Sequence, residues 1–255
     1  MNERPFTARI LVLTEDKNPE PLRALVRSML RLVQPQHDPA RVDVQGDHPQ
    51  AQEAATANLA KERRGGSGHR RRVEIARAIA TEVFVESNFV FYHVDADQCF
   101  SAPRRSSPEN VAFYEGILLT VQQHLDALKQ KHGDSRPIDE LICRVLLLLP
   151  YYSIEAWLFQ NTRIGRELCK RHHRGQHVES FDAWEQDRGA LDEVEKPKNA
   201  GCLNASHYLD LATREYPNKA VYAAGKSYAE SVDRLSKCNA LQSALAAAAF
   251  QMPNQ

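Results

Sequence analysis

Short apolar runs constrain this chain more than any other feature: RILVLTED (9–16), NFVFYHVDAD (88–97) and RVLLLLPYY (144–152). Each is too short for an ordinary buried helix, is bounded by polar residues, and reads as a strand. The unbroken VLLLL segment suits a strand covered on both faces, because alternate side chains point to opposite sides. Between these runs the apolar period becomes helical. Asn18 followed by Pro19 opens one helix, PEPLRALVRSMLRLV (19–33). RRRVEIARAIATEVF (70–84) reads as a second, and PENVAFYEGILLTVQQHLDALKQKHG (108–133) as a long amphipathic third. RVDVQ (41–45) adds a short strand, and the polar stretch 46–68, with its RRGGSG, reads as a loop holding one frayed helix. From Ser153 onward the pattern is almost wholly helical. Strands alternating with helices imply an α/β fold, a mainly parallel sheet flanked by helices, with a helical C-terminal portion. The expected division is a core over 1–160 and a helical extension over 161–255 that packs on the core or on a partner.

Composition narrows the partners. The 33 basic and 33 acidic residues cancel, so no global field draws the chain to nucleic acid or membrane, and any basic surface is local. MNERPFTARILVL is charged, and its apolar run is too short for a signal peptide. LICRVLLLLPYYSIEAWLF contains Arg144, Pro150 and Glu155, which argues against a membrane span. Cys99, Cys143, Cys169, Cys202 and Cys238 are odd in number and never form a CxxC pair, a usage that fits reduced thiols in a cytoplasm.

In a parallel sheet, ligands gather at the carboxyl ends of the strands. Glu15 stands at such an end, Asp95 and Asp97 stand at another, and Glu155 follows a third. On a strand Asp95 and Asp97 would share a face roughly 6–7 Å apart, and like charges so placed repel unless a cation or a proton intervenes. Oxygen donors favour a hard ion, Mg²⁺ or Mn²⁺, which keeps waters for a phosphate substrate. In the plainer reading, Asp95 caps a turn and Asp97 is solvated.

With these residues in view, ILVLTED, FVFYHVDAD and LLLLPYYSIEAWLF resemble the TOPRIM-like fold of primases, topoisomerases and overcoming-lysogenisation-defect-type nucleases. Small bacterial TOPRIM-like proteins are the nearer resemblance, over roughly 8–160 and including the tail at 225–245. The resemblance implies a Mg²⁺-dependent nuclease cutting DNA or RNA, an anti-phage effector beside an ABC-type ATPase. It also implies roles: Glu15 as general acid/base or metal ligand, Asp95 and Asp97 as Mg²⁺ ligands, and Glu155 as a further ligand or orienting group. Asp16 stands where many relatives have glycine, and the nearest following acid is Glu20.

Other residues suit the same chemistry. Lys226 in AGKSYAES falls at a helix start, where a lysine meets developing negative charge or is simply exposed. KERRGGSGHRRR (61–72) gathers Lys61, Arg63, Arg64, Arg70, Arg71 and Arg72 into a phosphate clamp or a solvated basic loop. Arg104 and Arg105 follow the acids closely. Cys169, His172, His173 and His177 in CKRHHRGQH have spacings that zinc uses, although a polar helical turn gives the same string. His93 faces either the acids or the core, while Tyr151 and Trp157 read as core. Two alternatives stay open: a DxD nucleotide-sugar glycosyltransferase using Mn²⁺, and a catalytically degenerate interaction subunit whose helical half docks on an ATPase.

Overall fold

A computed structural model describes residues 6–45, 53, 55, 66–95, 108–194, 197 and 202–249. Lys61, Arg63, Arg64, Asp97, Cys99, Arg104 and Arg105 lie outside the described residues. The centre is a parallel sheet built from β1 (Ala8–Thr14), β2 (Val42–Gln45), β3 (Asn88–His93) and β4 (Val145–Leu148), in the order β2-β1-β3-β4. The fold is therefore α/β, with an all-parallel four-stranded sheet between helices.

Alternation along β1 assigns the two faces. Ile10 and Val12 point into one apolar cluster, and Leu11 and Leu13 into the other. The first cluster is closed by α1 (Glu20–Val33), which buries Leu22, Leu25, Val26, Met29 and Leu30 along one side. Asn18 accepts from the backbone N–H of Glu20 at 3.2 Å, and prolines 19 and 21 pre-set that helix entry. Also on this face are α5 (Glu155–Leu158), α6 (Thr162–His173), α7 (Val178–Gln186), α8 (Tyr208–Thr213), α9 (Asn218–Ala223), α10 (Lys226–Ser236) and α11 (Asn239–Ala247). The opposite face is covered by α2 (Gly66–Phe84), α3 (Pro108–His132) and α4 (Ile138–Ile142).

Both outer strands have arginines on their backbone. Arg27 Nη2 donates to Val44 O at 3.2 Å on β2, and Arg234 Nη1 donates to Leu147 O at 3.0 Å on β4. Capped carbonyls blunt a sheet edge that would otherwise pair with another chain.

The sequence reading needs three boundary corrections. β3 ends at His93, so Asp95 lies two residues beyond the strand rather than on its pleat. Its pairing stops there because its neighbours stop: Thr14 is opposite His93 on one side and Leu148 on the other. β4 ends at Leu148, ahead of Pro150, which has no N–H to give a ladder. Finally, α2 begins at Gly66, so Gly66–Gly68 belong to the helix expected from Arg70 and not to the loop before it.

Tight packing between α6 and α7 yields a direct prediction. Gly165 of α6 lies beneath the ring of Phe181, and a Cβ there would run into that ring. Phe181 is wholly buried, edge-on to Phe159 and Trp184, so it cannot easily turn away. Gly165→Ala is expected to destabilise by about 1–3 kcal/mol through overpacking, despite alanine's better helix propensity. The check is a lower urea midpoint with unchanged denaturant slope.

Candidate functional site

The chain leaves β1 through α1 to reach β2 on one side, then crosses to β3 on the other. That reversal opens a switch point between the carboxyl ends of β1 and β3, where α/β sheets bind ligands. Thr14 ends β1, His93 ends β3, and the two are direct neighbours in register.

From this pair a polar chain extends in both directions. Thr14 Oγ1 lies 2.9 Å from His93 Nδ1. Thr14 also accepts from the backbone N–H of Asp16 at 3.1 Å and donates to Asp16 Oδ2 at 3.3 Å. On its other side His93 Nε2 faces Asp95 Oδ1 at 3.2 Å, an ion-pair contact. The same oxygen accepts the Ile154 N–H at 3.1 Å. Glu155, 8% exposed, is the first residue of α5 and accepts from the Tyr208 hydroxyl at 2.7 Å. The ends of β1 and β3 and the turn after β4 thus bring Glu15, Asp16, Asp95 and Glu155 to one rim. His93 lies at its base.

Electrostatics reflect the crowding. Burial alone would lower His93, yet the contact with Asp95 and the charges of Asp95, Asp16 and Glu15 outweigh it and raise its pKa. Burial likewise raises Asp95, opposed by His93 and assisted by Asp16 and Glu155. A charged His93 would donate Nδ1–H to Thr14 Oγ1 while the Thr14 hydroxyl donates to Asp16, and would set its charge beside Asp95 without an aligned Nε2 hydrogen bond. Burial and then the Glu155 charge push the Tyr208 phenol far up, which keeps it a proton donor to Glu155. A cavity of about 270 Å³ adjoins this rim, lined in part by Asp16, Lys17, Asn18, Ile154 and Tyr208.

A raised histidine pKa means that the native state holds a proton the unfolded chain releases sooner. The resulting stabilisation is fully present below the ordinary value of 6.5 and is lost as pH rises through the raised value. The stability gap between metal-free wild type and His93→Gln is therefore expected to be widest below pH 6.5 and to narrow at higher pH. Thermal melts across that range check it, and a constant gap contradicts it.

The donor set suits a hard cation, since Glu15, Asp16, Asp95 and Glu155 all offer carboxylate oxygen. Among the described residues, however, no three His, Cys, Asp or Glu side chains are already converged to hold a metal ion. Asp97, expected to share the ion with Asp95, falls outside the described residues.

Sequence reasoning found Glu15, Asp95 and Glu155, which the fold brings together. It did not assign site roles to Thr14, Asp16, Tyr208 or the Ile154 N–H, and it left His93 between site and core. The available signal for His93 was a lone imidazole at the end of an apolar strand two residues before an aspartate. Lys226 is the first residue of α10, at a φ of 67°, and its ammonium pairs with Glu193 at 2.9 Å. That partner is not one of the rim acids. Arg70 is an exposed helical residue paired with Glu74 at 2.9 Å, and Arg71 and Arg72 are half-buried on the same helix. Trp157 is wholly buried as expected, whereas Tyr151 is only half-buried, with its hydroxyl donating to Glu230.

Comparisons with protein-family models, with curated proteins and with solved structures returned no match. No described helix is long and apolar enough to cross a membrane.

Proposed function

We propose that this chain is a cytoplasmic TOPRIM-like nuclease, Mg²⁺-dependent, that hydrolyses phosphodiester bonds of DNA or RNA beside an ABC-type ATPase in phage defence. The observation that carries the reading is the meeting of Glu15, Asp16, Asp95 and Glu155 at the switch point, next to a cavity. Acids gathered from separate strand ends around a buried base are costly to assemble and suit a bound cation.

Glu15, Asp95 and, where it reaches the rim, Asp97 would hold Mg²⁺, and Mn²⁺ meets the same donors. Bound there, the ion supplies Lewis acidity toward phosphate and a lowered pKa for water. The chain's own residues do the rest. His93 and the Ile154 N–H fix one oxygen of Asp95. Tyr208 holds Glu155 in place, and Glu155 orients the attacking water or completes the donor set. Lys17 and Asn18 in the cavity wall, with Arg70–Arg72 on α2, offer contacts to a phosphate backbone.

The test is cleavage of labelled DNA and RNA, single- and double-stranded, in Mg²⁺ and in chelator. Wild type should cleave only with the metal, and Glu15→Ala and Asp95→Ala should not cleave. Cleavage by both variants at the wild-type rate overturns the assignment. A second reading, a binding subunit that has lost catalysis, is favoured by His93, whose pKa the neighbouring acids raise and whose protonated ring would counter their charge. Partner binding without any metal-induced heat shift would select it.

A further inference from the structure

The cysteine and histidines of CKRHHRGQH play no part in the acid site, and the fold gives them new neighbours. Cys169 and His173 are four residues apart on α6, hence on one face of the helix. Across from them runs the segment that leads into α8. Cys202 on that segment neighbours Cys169. His207, at the end of the short 3₁₀ turn Ala205–His207, brings its ring within 5.8 Å of the His173 ring, centre to centre. His173 Nε2 is shielded from solvent without a hydrogen-bond partner among the described residues, a costly state for a polar atom.

We propose that Cys169, His173, Cys202 and His207 form a structural zinc site that clasps the end of α6 to the segment preceding Tyr208. Two sulfurs and two imidazole nitrogens are a tetrahedral donor set of the kind zinc selects. Two imidazoles on one tetrahedral zinc, at bonds of about 2 Å, have ring centres about 5 Å apart, so 5.8 Å leaves little to close. The four groups are not preset at metal distance. His207 Nδ1 accepts the Asn204 N–H at 3.3 Å, and binding exchanges that long bond for the metal. The surroundings suit the site. Cys169 is wholly buried, and the His177 backbone N–H donates to its sulfur at 3.4 Å, an outer contact that steadies a thiolate. His177 thus contributes through its backbone, while the exposed His172 flanks the site at 5.2 Å from the His207 ring.

The clasp ties two halves of one face together. Tyr208 directly follows His207 and donates to Glu155, so zinc here would fix the far wall of the acid cavity. The inference does not depend on the nuclease reading, because its readouts are metal content and spectrum.

The experiment purifies the full chain, removes loosely held metal with a mild chelator, and measures zinc by mass spectrometry. It then replaces zinc with Co²⁺ and records the absorption. Stoichiometric zinc, and a cobalt spectrum with thiolate charge transfer and the strong bands of a tetrahedral ion, are expected. Cys202→Ser and His207→Ala should each lower retained zinc at least tenfold, whereas Cys143→Ser, at an exposed thiol, should not. Cys202→Ser and His207→Ala carry the test even where Cys169→Ser fails to fold, because both residues are only half-buried. A wild-type chain without zinc that also gives no tetrahedral cobalt spectrum overturns the site. So does a Cys169–Cys202 disulfide in freshly purified protein, or equal loss in the Cys143→Ser control.

Discussion

Asp95→Asn is expected to lower Mg²⁺-dependent cleavage by about a thousandfold and to erase the Mg²⁺-induced rise in melting temperature. A metal ion at a transferring phosphoryl group contributes several kcal/mol, and each 1.36 kcal/mol is about tenfold in rate. The substitution is nearly isosteric. Asparagine retains an oxygen for the Ile154 N–H, which now holds Asp95 at 3.1 Å, so the turn after β4 keeps its anchor. What disappears is the charge that faces His93 at 3.2 Å and that repels Asp16 and Glu155. Lost attraction and relieved repulsion oppose each other, and the burial that raises Asp95 no longer penalises the site. The metal-free variant should therefore melt within about 1 kcal/mol of wild type in stability. Cleavage within tenfold of wild type, with the Mg²⁺ shift intact, would remove Asp95 from the metal site.

Particular residues explain what could be read in advance. β1, β3 and β4 were legible because each is a dense apolar run, and α1 because its buried residues recur at helical spacing. Strand ends were less legible. FVFYHVDAD has nothing in its own residues to stop it at His93; the stop comes from Thr14 and Leu148, neighbours more than fifty residues away. The acids of the site were legible because strand ends are where a parallel sheet presents its ligands. Their supporting partners were not. Tyr208 reaches Glu155 only through the packing of α8 beside α5, and Thr14 looks like any strand-end threonine until His93 is set opposite. Likewise CKRHHRGQH offered only part of the proposed zinc donor set, and the proposed remainder, Cys202 and His207, lies in a segment without any recognisable spacing to it.

Trp157→Ala is expected to cost about 3–5 kcal/mol, the largest single loss of stability that a side chain near the site should produce. Against a total of about 5–15 kcal/mol for a typical domain, that loss leaves a substantial unfolded fraction on warming. Trp157 is wholly buried two residues after Glu155, with Tyr228 edge-on at 5.8 Å and His93 at 6.2 Å. Its indole N–H donates to Ser227 Oγ at 2.7 Å, and its carbonyl accepts from the Tyr216 hydroxyl at 2.8 Å. Ser227 in turn donates through its backbone N–H and its hydroxyl to the buried Asp192. The indole is therefore the floor of His93 and the lid of a polar network at once. Alanine would remove both and leave a void beside His93. Phenylalanine separates the two functions. It keeps a ring between Tyr228 and His93 but removes the donor to Ser227, a neutral hydrogen bond worth about 1 kcal/mol. Urea unfolding of both variants measures the difference. If Trp157→Phe costs as much as Trp157→Ala, the polar network carries the stability here, and the packing account of the site's floor fails.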